Sequence, residues 1–296
     1  MRGTVEEMKI HLVDGTYELF RSHFGAPPKK ASNGMEVGAT LGLLRSMMLL
    51  LSNPEVTHVA VAFDHVIESF RNKLYSGYKT GAGVDPNLLA QFPLAEKAVA
   101  ALGLVVWAMV KFEADDAIAT ATARFKKIKS VEQVVICSPD KDLTQMVDGK
   151  RVVCWDRRRE IILDEKGVTE KFGVSPESIP DFLALVGDAA DGYPGIQGWG
   201  AKSTSTVLAQ FMCIESIPTD PNKLGLGLGR ATTLIGNLQQ NYDNALLFRE
   251  LSTLCTDVPL KENLSDLKWV GAYPRLKKIC HELGDERIPE RVTLWR

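Results

Sequence analysis

Short apolar runs that end in an acidic residue recur along this chain: residues 10–14 (IHLVD), 58–64 (HVAVAFD) and 134–140 (VVICSPD). Their length and their Val, Ile and Phe content predict β-strands. Between them, residues 36–51 set Leu41, Leu44, Met48 and Leu51 on one side at helical spacing, and residues 87–102 and 114–127 repeat the pattern. Strands alternating with helices predict an α/β fold with a mostly parallel central sheet flanked by helices. In such sheets the ligand crevice lies beyond the carboxyl ends of the strands. Three strands that end in Asp would therefore deliver three carboxylates to one edge.

From about Ile179 the periodicity turns mostly helical, in residues 182–186, 204–211, 245–254 and 276–283. The expected organisation is an α/β domain over residues 1–178 and a helical subdomain over residues 179–296. Residues 25–34 (GAPPKKASNG) and 75–86 (YSGYKTGAGVDP) have loop composition. Gly225, Gly227 and Gly229 alternate with leucines in a run whose pattern selects no element, and no internal repeat is visible.

Composition excludes several classes. With 45% hydrophobic and 24% charged residues the chain is ordinary for a globular protein. No apolar run approaches the roughly 20 residues that span a bilayer. The polar start, with two glutamates, is not a secretory signal. Cys137, Cys154, Cys213, Cys255 and Cys280 are widely spaced and form no CxxC pair. They read as reduced thiols of a cytoplasmic protein rather than as zinc ligands or disulfides.

The net charge of −2 argues only weakly against a nucleic-acid partner, because location matters more than the total. Nine acids fall in three clusters or at strand ends: Asp14, Asp64, Glu113, Asp115, Asp116, Asp140, Asp142, Asp188 and Asp191. Setting them aside leaves 35 basic against 28 acidic residues, a balance of +7. Metal ions that neutralised the cluster would leave a basic surface.

Each acidic segment has an ordinary explanation. EADD (residues 113–116) opens a helical run, where the helix dipole favours acids. SPDKD (138–142) reads as a polar turn and GDAADG (187–192) as a loop that ends a helix. Together they are harder to explain. Most sit against apolar segments, where a lone carboxylate is costly, and no comparably recurrent Arg or Lys partners accompany them. Oxygen ligands without His or Cys favour Mg²⁺ or Mn²⁺ over zinc. Two such ions about 4 Å apart can activate a water and stabilise both oxygens of a phosphodiester displacement. Just beyond, GIQGWGAKS (195–203) misses the P-loop pattern because Ala201 separates Gly200 from Lys202. It fits either a plain helical hairpin or one whose glycines bring backbone amides close to a phosphate at a helix N-terminus.

In order along the chain, LVDGTYELFRS, VAFDHVIESFRNKLYSGYK, FEADDAIA, SPDKDLTQMV and GDAADGYPGIQGWGAKS, with a weaker LSTLCTDVPL, resemble the 5′-to-3′ exonuclease and flap endonuclease family. The match is to the bacterial form that often stands at the N-terminus of DNA polymerase I, and it covers roughly residues 9–260. The resemblance implies a PIN-like nuclease core, a helix–turn–helix DNA-binding hairpin at about residues 187–211 and a mobile arch at about residues 70–95. It implies that Asp14, Asp64, Glu113, Asp115 and Asp116 surround one metal ion, and that Asp140, Asp142, Asp188 and Asp191 surround a second, with Asp140 near both. Lys79 matches a lysine near the scissile phosphate, where with Asp64 and Asp140 it would serve catalysis. Arg21 and Arg71 match basic positions near the DNA path. Gly195, Gly198, Gly200, Lys202 and Ser203 match the hairpin that grips duplex backbone, often with a bound monovalent cation such as K⁺. Tyr75 and Tyr78 match aromatics at the foot of the arch, suited to base stacking or to buried packing. The implied partner is DNA with a 5′ flap, a 5′ overhang or a nick, cut by a monomer without a membrane.

Two positions depart from the pattern. Ala82 stands where the family usually has a basic residue three positions after the lysine of its YK pair, and Trp199 where a smaller aliphatic residue is common. Two other functions compete. DKDLT (140–144) fits the DxDxT of haloacid-dehalogenase phosphatases but leaves Asp14, Asp64 and the Glu113 cluster unexplained. A DNA-structure binder of the same fold that cleaves poorly is suggested by Ala82, although a pure binder gains nothing from nine acids facing phosphate.

Overall fold

A computed structural model describes residues 8–25 and 27–296. The polar start over residues 1–7 and residue 26, within the stretch 25–34, lie outside the described residues. In chain order the elements are β1 (Met8–Asp14), α1 (Gly15–Gly25), α2 (Gly38–Leu51), β2 (His58–Asp64), α3 (Arg71–Leu74), α4 (Pro86–Leu89), α5 (Phe92–Ala101), β3 (Val105–Met109), α6 (Ala114–Phe125) and β4 (Val131–Cys137). There follow β5 (Val152–Asp156), β6 (Ile161–Leu163), α7 (Glu165–Phe172), α8 (Ile179–Val186), α9 (Ala201–Phe211), α10 (Leu228–Gln240), α11 (Tyr242–Ser252), α12 (Arg275–Glu282) and α13 (Arg287–Glu290). They divide into two compact units. One holds the described residues up to Ile67 with Gly81–Ser138 and Thr256–Arg296; the other holds Glu68–Thr80 and Pro139–Cys255.

The first unit is built on four parallel strands in the order β3-β2-β1-β4. All of β2 except Asp64 is buried, as is β1 from Ile10 onward, because parallel strands are covered by helices on both faces. The chain builds outward from β1 to β3 and then returns through α6 to place β4 on the other side of β1. That reversal is a topological switch point, where open α/β sheets leave a crevice beyond the strand ends. Asp14 ends β1 at this point and Asp64 ends β2 beside it. Gly15 makes the turn from β1 into α1 sterically feasible: a Cβ there would lie 2.6 Å from the Phe63 ring and 2.7 Å from Val61.

The segment from Thr256 onward packs within the first unit. Trp269 donates its backbone N–H to the Thr57 carbonyl (2.8 Å) and its indole N–H to that of Leu102 (2.9 Å), and the Trp107 indole donates to Glu262 (2.8 Å). Aromatic N–H groups with partners thus tie residues 256–296 beside α5 and β3, elements far away in sequence.

In the second unit β5 and β6 pair antiparallel, and helices α7 to α11 follow. The alternating Gly225–Gly229 run leads into α10, with Gly227 as its N-cap. Arg71 is 1% exposed and turns inward: its Nε donates to the Leu251 carbonyl (2.7 Å) and its Nη2 to that of Thr253 (3.0 Å). It locks α3 to the end of α11, leaving its guanidinium no surface to offer a phosphate. All five cysteines are free, and no described helix is long and apolar enough to cross a membrane.

Candidate active site

The first unit gathers one carboxylate set at the carboxyl ends of its strands. Asp14 is buried, with Oδ1 accepting the Tyr17 N–H (2.8 Å) and Oδ2 the Ser138 hydroxyl (2.9 Å) just past β4. Asp64 accepts the Ala114 N–H (2.7 Å), which docks the start of α6 on the end of β2, while its own N–H donates to the Thr16 hydroxyl (2.8 Å). Glu113 is the N-cap of α6, and Asp116 closes a capping box by accepting the Glu113 N–H (3.0 Å). Glu113 and Asp116 are buried; Asp115 is half-buried in the first turn. Strand ends and a helix start so hold these five acids, with backbone N–H groups fixing Asp14, Asp64 and Asp116.

The second unit holds the other set. After β4 the chain enters a 3-10 turn, Asp142–Met146, in which Asp140 accepts the Asp142 N–H (3.0 Å). Asp188 to Tyr193 form a tight loop after α8: Asp188 N–H donates to the Tyr193 carbonyl (2.8 Å) and Ala190 N–H to the Asp188 carboxylate (2.9 Å). Gly192, at φ +85°, is required here, since a Cβ would lie 2.2 Å from the Gly77 carbonyl oxygen. That close approach brings Lys79 in: its N–H donates to the Asp191 carbonyl (2.9 Å) and its Nζ lies 3.3 Å from the Asp191 carboxylate. Tyr193 stacks on Phe248 (5.5 Å between centroids), and Tyr75 meets the same ring edge-on (5.7 Å).

Carboxylate oxygens of Asp142, Asp188 and Asp191 all lie within 4.8 Å of one another. At that separation each pair of charges repels by about 3–4 kcal/mol at an effective dielectric of about 20. Burial, and then the charges of Asp140, Asp191 and Asp188, hold the Asp142 carboxyl well above the usual carboxylate range. No comparably recurrent basic partners are expected around these acids from the spacing alone, yet two lysines pair with them. Lys141 Nζ lies 2.6 Å from Asp188 and Lys79 pairs with Asp191. Lys141 escaped notice because it sits between two acids in a turn whose fold the spacing does not reveal. Burial would lower its ammonium, but the hydrogen bond and charge of Asp188, with those of Asp142 and Asp140, outweigh it and raise the pKa. One acceptor also stays orphaned: Asp142 Oδ1 is buried without a hydrogen-bond partner. A buried unsatisfied acceptor costs about 1–3 kcal/mol or more when charged. A hard cation coordinated by oxygen relieves both problems, so the donor set fits Mg²⁺ or Mn²⁺.

The remaining predicted positions separate by exposure. Lys202, in the first turn of α9, is exposed and makes no ion pair among the described residues. Ser203 is buried, its hydroxyl donating to the Gly200 carbonyl (3.0 Å) and accepting from Arg230 (3.3 Å). Gly195 and Gly198 take positive φ, and Gly200 is the α9 N-cap. Trp199 gains a role here: buried, it donates its indole N–H to the Leu234 carbonyl (3.0 Å) and pins the hairpin to α10. Arg21 is half-buried and bonds Glu18 and Ser46 of the first unit. Tyr78 is 3% exposed, with Lys79 Nζ 5.7 Å from its ring centre, so Tyr78 packs inside and Tyr75 against Phe248.

Comparison with known proteins agrees with this architecture. The profile of the 5′-3′ exonuclease N-terminal resolvase-like domain matches residues 9–173, and that of the 5′-3′ exonuclease C-terminal SAM fold matches residues 174–275. A 5′-3′ exonuclease of Aquifex aeolicus is 32% identical over 284 residues, covering 96% of this chain and 94% of that protein. DNA polymerase I of Bacillus subtilis is 31% identical over 292 residues, 97% of this chain but 32% of the polymerase, so the chain spans about a third of that relative. Among solved structures, the T5 D15 protein co-crystallized with metal ions superposes with a TM-score of 0.68 at 16% identity, covering 96% of each chain. The catalytic core of Rad2 in complex with DNA substrate gives 0.62 at 13% identity, covering 97% of this chain and 92% of that one. These two share the fold. With both family profiles matched in order on a PIN-like core and a helical domain, the chain belongs to the 5′-3′ exonuclease family.

Proposed function

We propose that this protein is a divalent-metal-dependent 5′-nuclease that hydrolyses DNA phosphodiester bonds at 5′ ends or 5′-flap junctions. The observation that carries the reading is the second carboxylate set, in which oxygens of Asp142, Asp188 and Asp191 gather within 4.8 Å of one another and a buried oxygen of Asp142 is orphaned. Asp140, Asp142, Asp188 and Asp191 would hold one ion, and Asp14, Asp64, Glu113, Asp115 and Asp116 would surround a second, with Asp116 also fixing the start of α6. When bound, the two ions supply charge neutralisation and Lewis acidity for displacement at phosphorus. The chain's own residues do the rest. Lys79 lies beside the Asp191 carboxylate and would place positive charge against the phosphate oxygens as charge develops. Lys141 orients the Asp188 carboxylate through their ion pair. Lys202 and the amides at the start of α9 would bind duplex phosphates, with a monovalent cation at the hairpin carbonyls.

The working form is a monomer in the cytoplasm, with flapped, overhung or nicked duplex as substrate. The test is cleavage of an end-labelled 5′-flap DNA and a matched single-stranded RNA in Mg²⁺, Mn²⁺ or EDTA. Metal-dependent cutting near the DNA junction is expected. Tight DNA binding without cutting in either metal would reassign the protein as a structure-specific binder, and preferential RNA cutting would change the substrate class.

A further inference from the structure

The outer face of α2 and the C-terminal segment enclose a second concave feature, within the first unit. It is a pocket of about 450 Å³, in the size range of specific ligand sites. Its floor is apolar, from Met48, Ile288 and a Leu49 that is 72% exposed, a large hydrophobic side chain facing water. Its rim is basic, from Arg45, Arg287 and Arg291. The one acid in the lining, Asp285, is already engaged, by Arg45 and by Lys29 at 3.8 Å. Arg287 and Arg291 make no ion pair among the described residues. A pit of about 50 Å³ adjoins the pocket, shares Met48, Ser52 and Arg291 with it, and is walled by Leu51, Leu102 and Trp269. The pocket is also remote from the carboxylates. The C-terminal half of α2 leads to the start of β2, so it lies toward the sheet edge opposite Asp14 and Asp64.

We propose that this pocket docks an acidic segment of a partner protein that carries one large apolar side chain. Charge complementarity selects the acidic class: two uncommitted guanidinium groups present forks that match carboxylates. The apolar floor and pit select the side chain, since an apolar anchor ringed by arginine is a recurrent form of peptide hot spot. Duplex DNA satisfies the rim but offers nothing to the floor, because its outer surface is a rail of phosphates.

The proposal is tested with the full chain and a short fluorescein-labelled peptide of aspartates around one central phenylalanine, followed by anisotropy. Saturable binding is expected, weakened at least about tenfold when the phenylalanine is replaced by glycine or when Arg287→Glu and Arg291→Glu are combined. Leu49→Ser, at an exposed position where folding is insensitive, should weaken the peptide in the same direction. Flap cleavage should stay unchanged in all of these variants. Three outcomes overturn the proposal. They are no saturable binding, equal binding by the charge-reversed protein, and displacement of the peptide by duplex DNA with matching loss of duplex affinity in that variant. A self-association that the same variants abolish would assign the pocket to a second copy of the chain instead.

Discussion

Asp142 shows how a residue's chemistry is set by its surroundings. Its carboxyl is held high by burial and by Asp140, Asp191 and Asp188, so folding in the absence of metal favours the protonated form. The sign follows from linkage. A raised folded-state pKa gives stability that is present below the unfolded value, near 3.9, and is lost as pH rises through the folded value. In EDTA the protein should therefore lose stability as the pH rises above the ordinary carboxylate range. Asp142→Asn should remove that loss and raise the melting temperature at neutral pH, by about 2–4 °C for each kcal/mol relieved. Added Mg²⁺ should stabilise the wild type and have a smaller effect on the variant. Calorimetry in EDTA and in Mg²⁺ checks this, and a variant less stable than wild type in EDTA would mean that Asp142 is already satisfied. Arg71 makes the opposite case. Its guanidinium serves backbone carbonyls, so Arg71→Ala should cost about 2–4 kcal/mol through the unpaired Leu251 and Thr253 carbonyls. The salt dependence of duplex binding by the folded fraction should stay as it was; a flatter slope would put Arg71 on the DNA.

At the scale of elements, the hairpin carries one residue proposed to grip duplex and one that positions the hairpin itself. Lys202→Ala should lower duplex affinity and flatten the plot of log affinity against log salt by about one unit, as the loss of a single phosphate contact does. Trp199→Phe keeps the packing but removes the indole bond to Leu234, and should cost about 1 kcal/mol of stability while leaving the salt slope alone. Equal slopes for wild type and Lys202→Ala would remove the hairpin from the duplex interface. The elements also show how much was legible beforehand. The runs ending at Asp14 and Asp64 became β1 and β2 because buried parallel strands are continuous apolar segments, and the strand predicted over residues 134–140 starts earlier, as Val131–Cys137. The 36–51, 114–127 and 182–186 patterns became α2, α6 and α8. β3 went unread because its five residues have no acid at the end, and α10 because the glycines at its start break the helical pattern. Lys141 and Ser138 were visible as residues, but their partners Asp188 and Asp14 are fixed by contacts distant in sequence.

For the whole molecule, a chain of net charge −2 would serve a polyanionic substrate by confining its negative charge. The acids collect at strand ends, a helix start and a tight loop, where divalent ions would balance them, and the remaining residues of the chain are net basic. The division by packing at Pro139 and Thr256 also differs in kind from the family boundary between residues 173 and 174. The first reflects which residues touch, and the second which segments recur together in relatives. The carboxylate sets belong one to each compact unit, so removing a ligand from either should abolish cutting without abolishing grip. The direct test is single-turnover cleavage of a labelled 5′-flap duplex in Mg²⁺ by wild type, Asp64→Asn and Asp142→Asn, with duplex affinity measured in parallel in EDTA. Each variant should lose about a hundredfold or more in cleavage rate while its duplex affinity stays within about threefold of wild type. Wild-type cleavage by either variant would contradict the assignment of these carboxylates to the ions that drive the reaction.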